Sequence, residues 1–205
     1  MRGGLGGRPL SLTGGRLFFG GGGGAGDEND NVGTAGANGG GLIYVMAGGN
    51  LTPAAAATGT TLLANGDNVT TFSGKDGAGG GGGGGTIVLN VVGTVATGIA
   101  TSVTGGAGGS QNLAGPEAEG GGGGGGGGYV AYTNLATAST LTGGPNGTTN
   151  SSGVNQNGNG KQFPPNGATI GSAGTSATFT YNQQCLTAAA DVQTVLSGPN
   201  TGTVG

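Results

Sequence analysis

Hydrophobic positions in this chain are gathered into short β-branched blocks separated by glycine. Residues 42–47 read Leu-Ile-Tyr-Val-Met-Ala, 86–92 read Thr-Ile-Val-Leu-Asn-Val-Val, and 129–133 read Tyr-Val-Ala-Tyr-Thr. Blocks of four to seven such residues bounded by glycine predict buried strands. Each follows a glycine run, at 39–41, 79–85 and 120–128, and the block starts fall 44 and 43 residues apart. A shorter block comes next each time, at 61–64, 101–104 and 139–142, and ends at Asn65-Gly66, Gly105-Gly106 and Gly143-Gly144, which read as turns. A polar loop then carries the charge: Lys75-Asp76-Gly77 in one unit and Pro116-Glu117-Ala118-Glu119 in the next. The stretch Asp27-Glu28-Asn29-Asp30-Asn31, behind the glycines at 20–24, matches that loop in an incomplete first unit.

The order of glycine run, long strand, short strand and charged loop is therefore an internal repeat of about 43 residues. Ordering a glycine costs about 1–2 kcal/mol of backbone entropy, so a run needs a structural use. Two uses fit: polyglycine II packing, in which segments without Cβ approach closely, and a β-solenoid with glycine at tight corners. The fold class expected is all-β, layered and repetitive. A phosphate-binding loop is disfavoured, since neither Lys-Ser/Thr nor a helix pattern follows the runs.

Residues 145–167 are rich in Asn, Gly, Ser and Thr and contain Pro164-Pro165, which reads as a linker. Beyond it, 177–182 alternate as a strand with Ala177, Phe179 and Tyr181 on one face. Cys185, Leu186, Ala189, Val192 and Leu196 recur at helical spacing, with Gly198-Pro199 as a stop. The organisation expected is a repeat domain over 1–145, a linker over 146–167 and a strand–helix segment over 168–205. Ala177, Phe179, Tyr181, Cys185, Leu186 and Val192 form its candidate assembly interface, with a cap on the chain's own repeats as the competing role.

Composition narrows the function. Glycine makes up 58 of 205 residues, 6% are charged and none is His or Trp, so side chains alone give a thin core and the commonest general base is missing. The net charge of −3 lacks the basic face that nucleic acid requires, and disorder normally brings a higher charge. One cysteine makes no internal disulfide, and no apolar run nears the roughly 20 residues of a membrane span. No secretory signal is visible at the N-terminus, yet the surface-like composition places the protein outside the cell.

Candidate chemistry is sparse. The acidic cluster at 27–31 offers oxygen ligands of the kind Ca²⁺ prefers, but its spacing is not that of an EF-hand and a solvated loop is the better reading. Asp67, Asp76, Glu117, Glu119 and Asp191 are scattered, without aromatic platforms for a sugar substrate. Asn50, Asn68, Asn146 and Asn150 begin N-x-S/T sequons in expected loops and are candidate glycosylation sites. No catalytic, cofactor or metal site is expected.

The sequences Phe18-Phe19-Gly20, Gly26-Asp27-Glu28-Asn29-Asp30-Asn31, Gly39-Gly40-Gly41-Leu42-Ile43-Tyr44-Val45 and Asp76-Gly77-Ala78-Gly79 resemble the glycine-rich modules of secreted and surface proteins of gliding, myxobacteria-like bacteria. The resemblance covers residues 1–145 and implies an extracellular, non-catalytic setting. A weaker one is to phage tail-fibre-tip adhesins, whose glycine motifs form polyglycine II layers. The leading expectation is a structural subunit that polymerises with itself into an extracellular filament or surface layer. The alternative is an adhesin on a rigid glycine scaffold, with a cell-surface glycan or protein as partner. Ice binding through flat Gly/Thr surfaces ranks below both. Neither nucleic acid nor membrane insertion is expected.

Overall fold

The computed structural model describes residues 3–9, 17–53, 60–113, 115–134, 139–152 and 166–179. The apolar blocks are strands: β1 (Leu42–Ala47), β2 (Thr60–Leu63), β3 (Thr86–Val91), β4 (Ile99–Ser102), β5 (Tyr129–Tyr132), β6 (Ser139–Thr140) and β7 (Thr175–Thr178). The strands that follow the glycine runs and those that come second in each unit sort into separate sheets, β1-β3-β5-β7 and β2-β4-β6, and every pairing is parallel. Leu42 pairs with Thr86 and Thr86 with Tyr129, so the register follows the sequence spacing of the blocks.

This topology overturns the expected all-β class, with its strands layered as in a solenoid. No strand pairs with its neighbour in sequence, and each pairing spans a crossover, as in α/β proteins, yet the described residues hold almost no helix. Parallel strands need a long crossover connection, and both faces of such sheets are normally covered by helices. Here the inner faces cover one another instead. Ile87, Leu89, Val91 and Val130 of the larger sheet meet Ala64, Val95, Ile99 and Val103, and all eight are buried. Alternate residues Ile43 and Val45 of β1 pack against the same core, while Tyr44 and Met46 point outward.

The crossovers lead through glycine. Residues 79–85 are extended and carry no sheet pairing, yet their amides are satisfied by three neighbours in rotation. Gly80 and Gly83 donate to the Gly24 and Gly21 carbonyls, both at 2.8 Å. Gly81 and Gly84 donate to Gly123 (2.9 Å) and Gly126 (2.8 Å), and Gly82 and Gly85 to Asp67 (3.0 Å) and Ala64 (2.7 Å). Every third amide returns to the same neighbour, so the segment makes a turn in three residues, the period of the polyproline II helix. Residues 105–109, 120–128 and 166–174 bond in the same rhythm.

These segments form layers. Residues 34–41, 79–85, 120–128 and 166–174 lie side by side and lead into the larger sheet or its edge. Residues 64–69, 103–109 and 141–147 leave the smaller sheet and run back beneath them. A third layer holds residues 17–26, bonded to the first two members of the first layer, and residues 3–9, bonded to its last two. The stretches Asn65-Gly66, Gly105-Gly106 and Gly143-Gly144 are therefore not turns but parts of extended segments, in which Gly66, Gly105, Gly106 and Gly144 donate to Thr104, Thr142, Gly82 and Gly125 of neighbouring segments. The same holds for residues 146–152 of the expected linker: Gly147 donates to Gly122, and Thr149 and Ser151 are buried.

Glycine is required here by space and not by backbone sign. Among the described glycines only Gly167 has a positive φ, of 88°. A Cβ added at Gly82, Gly122, Gly124 or Gly125 would overlap the carbonyl oxygen of a neighbouring segment.

Candidate assembly surfaces

The larger sheet ends in β1 on one side and β7 on the other, and the smaller in β2 and β6. The Thr175 amide of β7 and the Phe179 amide just beyond it donate to Gly128 (3.1 Å) and Tyr132 (3.0 Å) of the same chain. Alternate residues of a parallel strand face opposite neighbours, so the Ser176 and Thr178 amides point to the open edge. On β1 the Gly41 and Ala47 carbonyls accept from β3 and its C-terminal neighbour, leaving Leu42, Tyr44 and Met46 to face outward. All four residues of β7 are exposed.

The C-terminal strand differs from the sequence expectation in place, and its partner is its own repeats, as in the competing role. It begins two residues early, at Thr175, and docks on β5 of its own chain, with Ala177 opposite Ala131. Its residues continue the register of the preceding units, which accounts for the earlier start. Ala177 and Phe179 thus extend the sheet and bring its edge outward. Tyr181, Cys185, Leu186 and Val192, with the helix expected over 185–196 and with Asp191, lie outside the described residues.

The acidic loop does something that its sequence did not announce. Its backbone closes around the buried carboxylate of Asp76 from the next unit. Asn29 donates to Oδ1 at 2.9 Å, Asp30 to both oxygens at 3.0 and 3.2 Å, and Val32 to Oδ2 at 2.7 Å. Burial pushes the Asp76 carboxyl up, but the amides of Asn29, Val32, Asp30 and Gly33 outweigh it and hold the group below its ordinary 3.8. The loop's own acids, Asp27, Glu28 and Asp30, are exposed, and the Lys75–Asp30 pair at 3.9 Å is a surface contact worth about 0–1 kcal/mol. Among the described residues no three His, Cys, Asp or Glu side chains are grouped to hold a metal ion. Asp67 lies in the extended segment 64–69, Glu117 and Glu119 lie in the stretch before residues 120–128, and the Glu119 amide donates to the Gln111 side chain at 3.1 Å.

The sequon asparagines are tied into the structure. Asn50 accepts from the Thr94 amide (2.9 Å), Asn68 from Ala107 (2.7 Å) and Asn150 from Leu113 (2.8 Å), each through Oδ1. Asn146 donates through Nδ2 to the Gly147 carbonyl at 2.7 Å. Asn65, outside any sequon, accepts from Thr104 at 2.8 Å. On the outer side of residues 103–109, where no described segment lies, the Asn65 and Asn68 side chains of the preceding unit replace the missing carbonyl. Asn65 and Asn68, three residues apart, meet Thr104 and Ala107, also three apart; that matched spacing was the signal available in the sequence.

No family model matches the chain, and no curated protein or solved structure is significantly similar to it. The reading of function therefore rests on the chain's own sequence and geometry. No helix among the described residues is long and apolar enough to cross a membrane.

Proposed function

We propose that this protein is a non-catalytic structural subunit that assembles with copies of itself outside the cell. The observation that carries the reading is the pair of open edges, β1 and β7, at opposite ends of one parallel sheet. An unpaired edge offers a row of amides and carbonyls to another chain. Because the two edges differ, joining β7 of one copy to β1 of the next is a head-to-tail contact, which propagates as a filament wherever its rotation does not close a ring. The polarity fits: Leu42, Tyr44 and Met46 present backbone groups outward on one edge, and Ser176 and Thr178 do so on the other. Residues that face the core on β1 then align with those on the core side of β7. The resemblance to surface modules of gliding bacteria supports an extracellular setting, as does the rigid, low-charge scaffold.

Negative-stain microscopy and sedimentation of the purified protein test this reading. Long unbranched fibres of uniform width are the expected result. Discrete particles at every concentration would contradict it, and particles that bind cells would favour the adhesin reading.

A further inference from the structure

The third layer of glycine segments has a gap. The second layer fills all three grooves of the first: residues 64–69, 103–109 and 141–147 each bond to two first-layer segments. In the third layer, residues 17–26 fill the first groove and residues 3–9 the last. The middle groove, between 79–85 and 120–128, holds no described segment.

The backbone around that groove confirms its shape. In residues 120–128, Gly122 and Gly125 donate downward to the second layer, and Gly124 and Gly127 sideways to Thr169 and Ser172. The three-residue rhythm aims the remaining Gly123 and Gly126 amides into the groove. From the other wall the Gly81 and Gly84 carbonyls point into it by the same rhythm. Among the described residues these two amides and two carbonyls have no hydrogen-bond partner, though all four glycines are buried. Buried backbone groups are nearly always paired. No Asn side chain stands in for a partner, as Asn65 and Asn68 do on the outer face. Along 79–85 a Cβ at Gly80 or Gly83 would meet nothing closer than 3.4 Å, whereas at the other positions it would overlap backbone.

A second observation concerns the ridge beside the groove. Gly20, Gly23 and Gly26 are packed against neighbouring carbonyls, but a Cβ at Gly21 or Gly24 would find nothing within 4 Å. Neither has a positive φ. The monomer thus has no use for glycine there, although each costs entropy on ordering. Gly21 and Gly24 are three residues apart, as are Gly81 and Gly84.

From the gap and the idle glycines together we infer that a second copy of this chain packs against the third layer, its segment 17–26 seated in the groove. The ridge enters with its free outer face and runs parallel to residues 79–85, as residues 3–9 run in the last groove, which turns its amides toward residues 79–85 and its carbonyls toward residues 120–128. Its amides then meet the Gly81 and Gly84 carbonyls, and its carbonyls receive Gly123 and Gly126. This contact is lateral and separate from the β1–β7 edges.

The test uses full-length protein carrying Thr178→Pro, which removes end-to-end growth, and compares it with the same protein plus Gly24→Val or Gly80→Ala. Sedimentation equilibrium is expected to give a dimer for the parent and monomers for both double variants. Amide exchange at Gly123 and Gly126 is expected to be slow in the dimer and at least tenfold faster in the monomers, with Gly122 and Gly125 still protected. A parent that stays monomeric overturns the inference, as does a dimer that both substitutions leave intact. Either result leaves end-to-end fibre formation by the unmodified chain standing, since those edges are untouched.

Discussion

The Val32 amide donates to Asp76 Oδ2 at 2.7 Å, joining a loop of the first unit to the start of the second. The glycine array begins immediately after Asp76, so this contact fixes where residues 79–85 enter it. A carboxylate that accepts several amides is favoured in its charged form.

Because the Asp76 pKa is lowered on folding, its contribution to stability is complete above its ordinary value of 3.8. It is lost as the pH falls through the lower, folded value. Thermal melts of the wild type from pH 7 down to pH 2 are expected to show Tm falling below about pH 4. Asp76→Asn has one acceptor oxygen instead of two, so its Tm should be lower at pH 7 and should approach the wild type in acid. Parallel curves for the two proteins would assign the acid sensitivity to another group.

Space, and not flexibility, explains the glycines at 120–128. A Cβ at Gly124 would overlap the Gly144 carbonyl oxygen, while one at Gly21 meets nothing. Overpacking typically costs 1–3 kcal/mol, and here rigid backbone must move. Gly124→Val is expected to lose at least about 3 kcal/mol in denaturant unfolding. Gly21→Ala should change stability by less than about 0.5 kcal/mol in monomer, as surface substitutions usually do. Equal, small effects would mean that residue 124 is not enclosed.

The edge of β7 separates folding from assembly. Thr178→Pro removes an amide that points away from β5, and proline is tolerated on edge strands. Its melting temperature is expected to stay near the wild-type value while fibre growth, followed by light scattering, is lost. Fibres that grow at the wild-type rate would place the end-to-end contact elsewhere.

Strand positions were legible because Ile43, Ile87 and Val130 stand at one repeating place after glycine, where a β-branched residue has one obvious use. Their pairing partners were not. Nothing local to Thr60–Leu63 says that it joins a separate sheet with Ile99–Ser102, since that choice depends on two faces closing over Ile87 and Val103. Asn65-Gly66 reads as a turn from propensity alone, yet neighbours on several sides hold it extended. The role of Asp76 was hidden for a related reason: its partners are backbone amides of Asn29, Asp30 and Val32, which any sequence supplies. Only the charged character of that loop was visible. The open edges were foreseen as a class of feature, but they fall on β1 and β7 because β7 continues the register of β5.

The account depends most on the glycine runs being hydrogen-bonded as observed, with three residues per turn. Residue-resolved amide exchange on the dispersed protein measures this directly. Gly82, Gly85, Gly122 and Gly125, bonded to Asp67, Ala64, Gly109 and Gly106, are predicted to exchange as slowly as the core-strand amides of β3. The exposed Gly48 and Gly49 should exchange at rates near those of an unstructured peptide. Fast exchange at all four array glycines, with β3 still protected, would show that the runs are tethers and contradict the account.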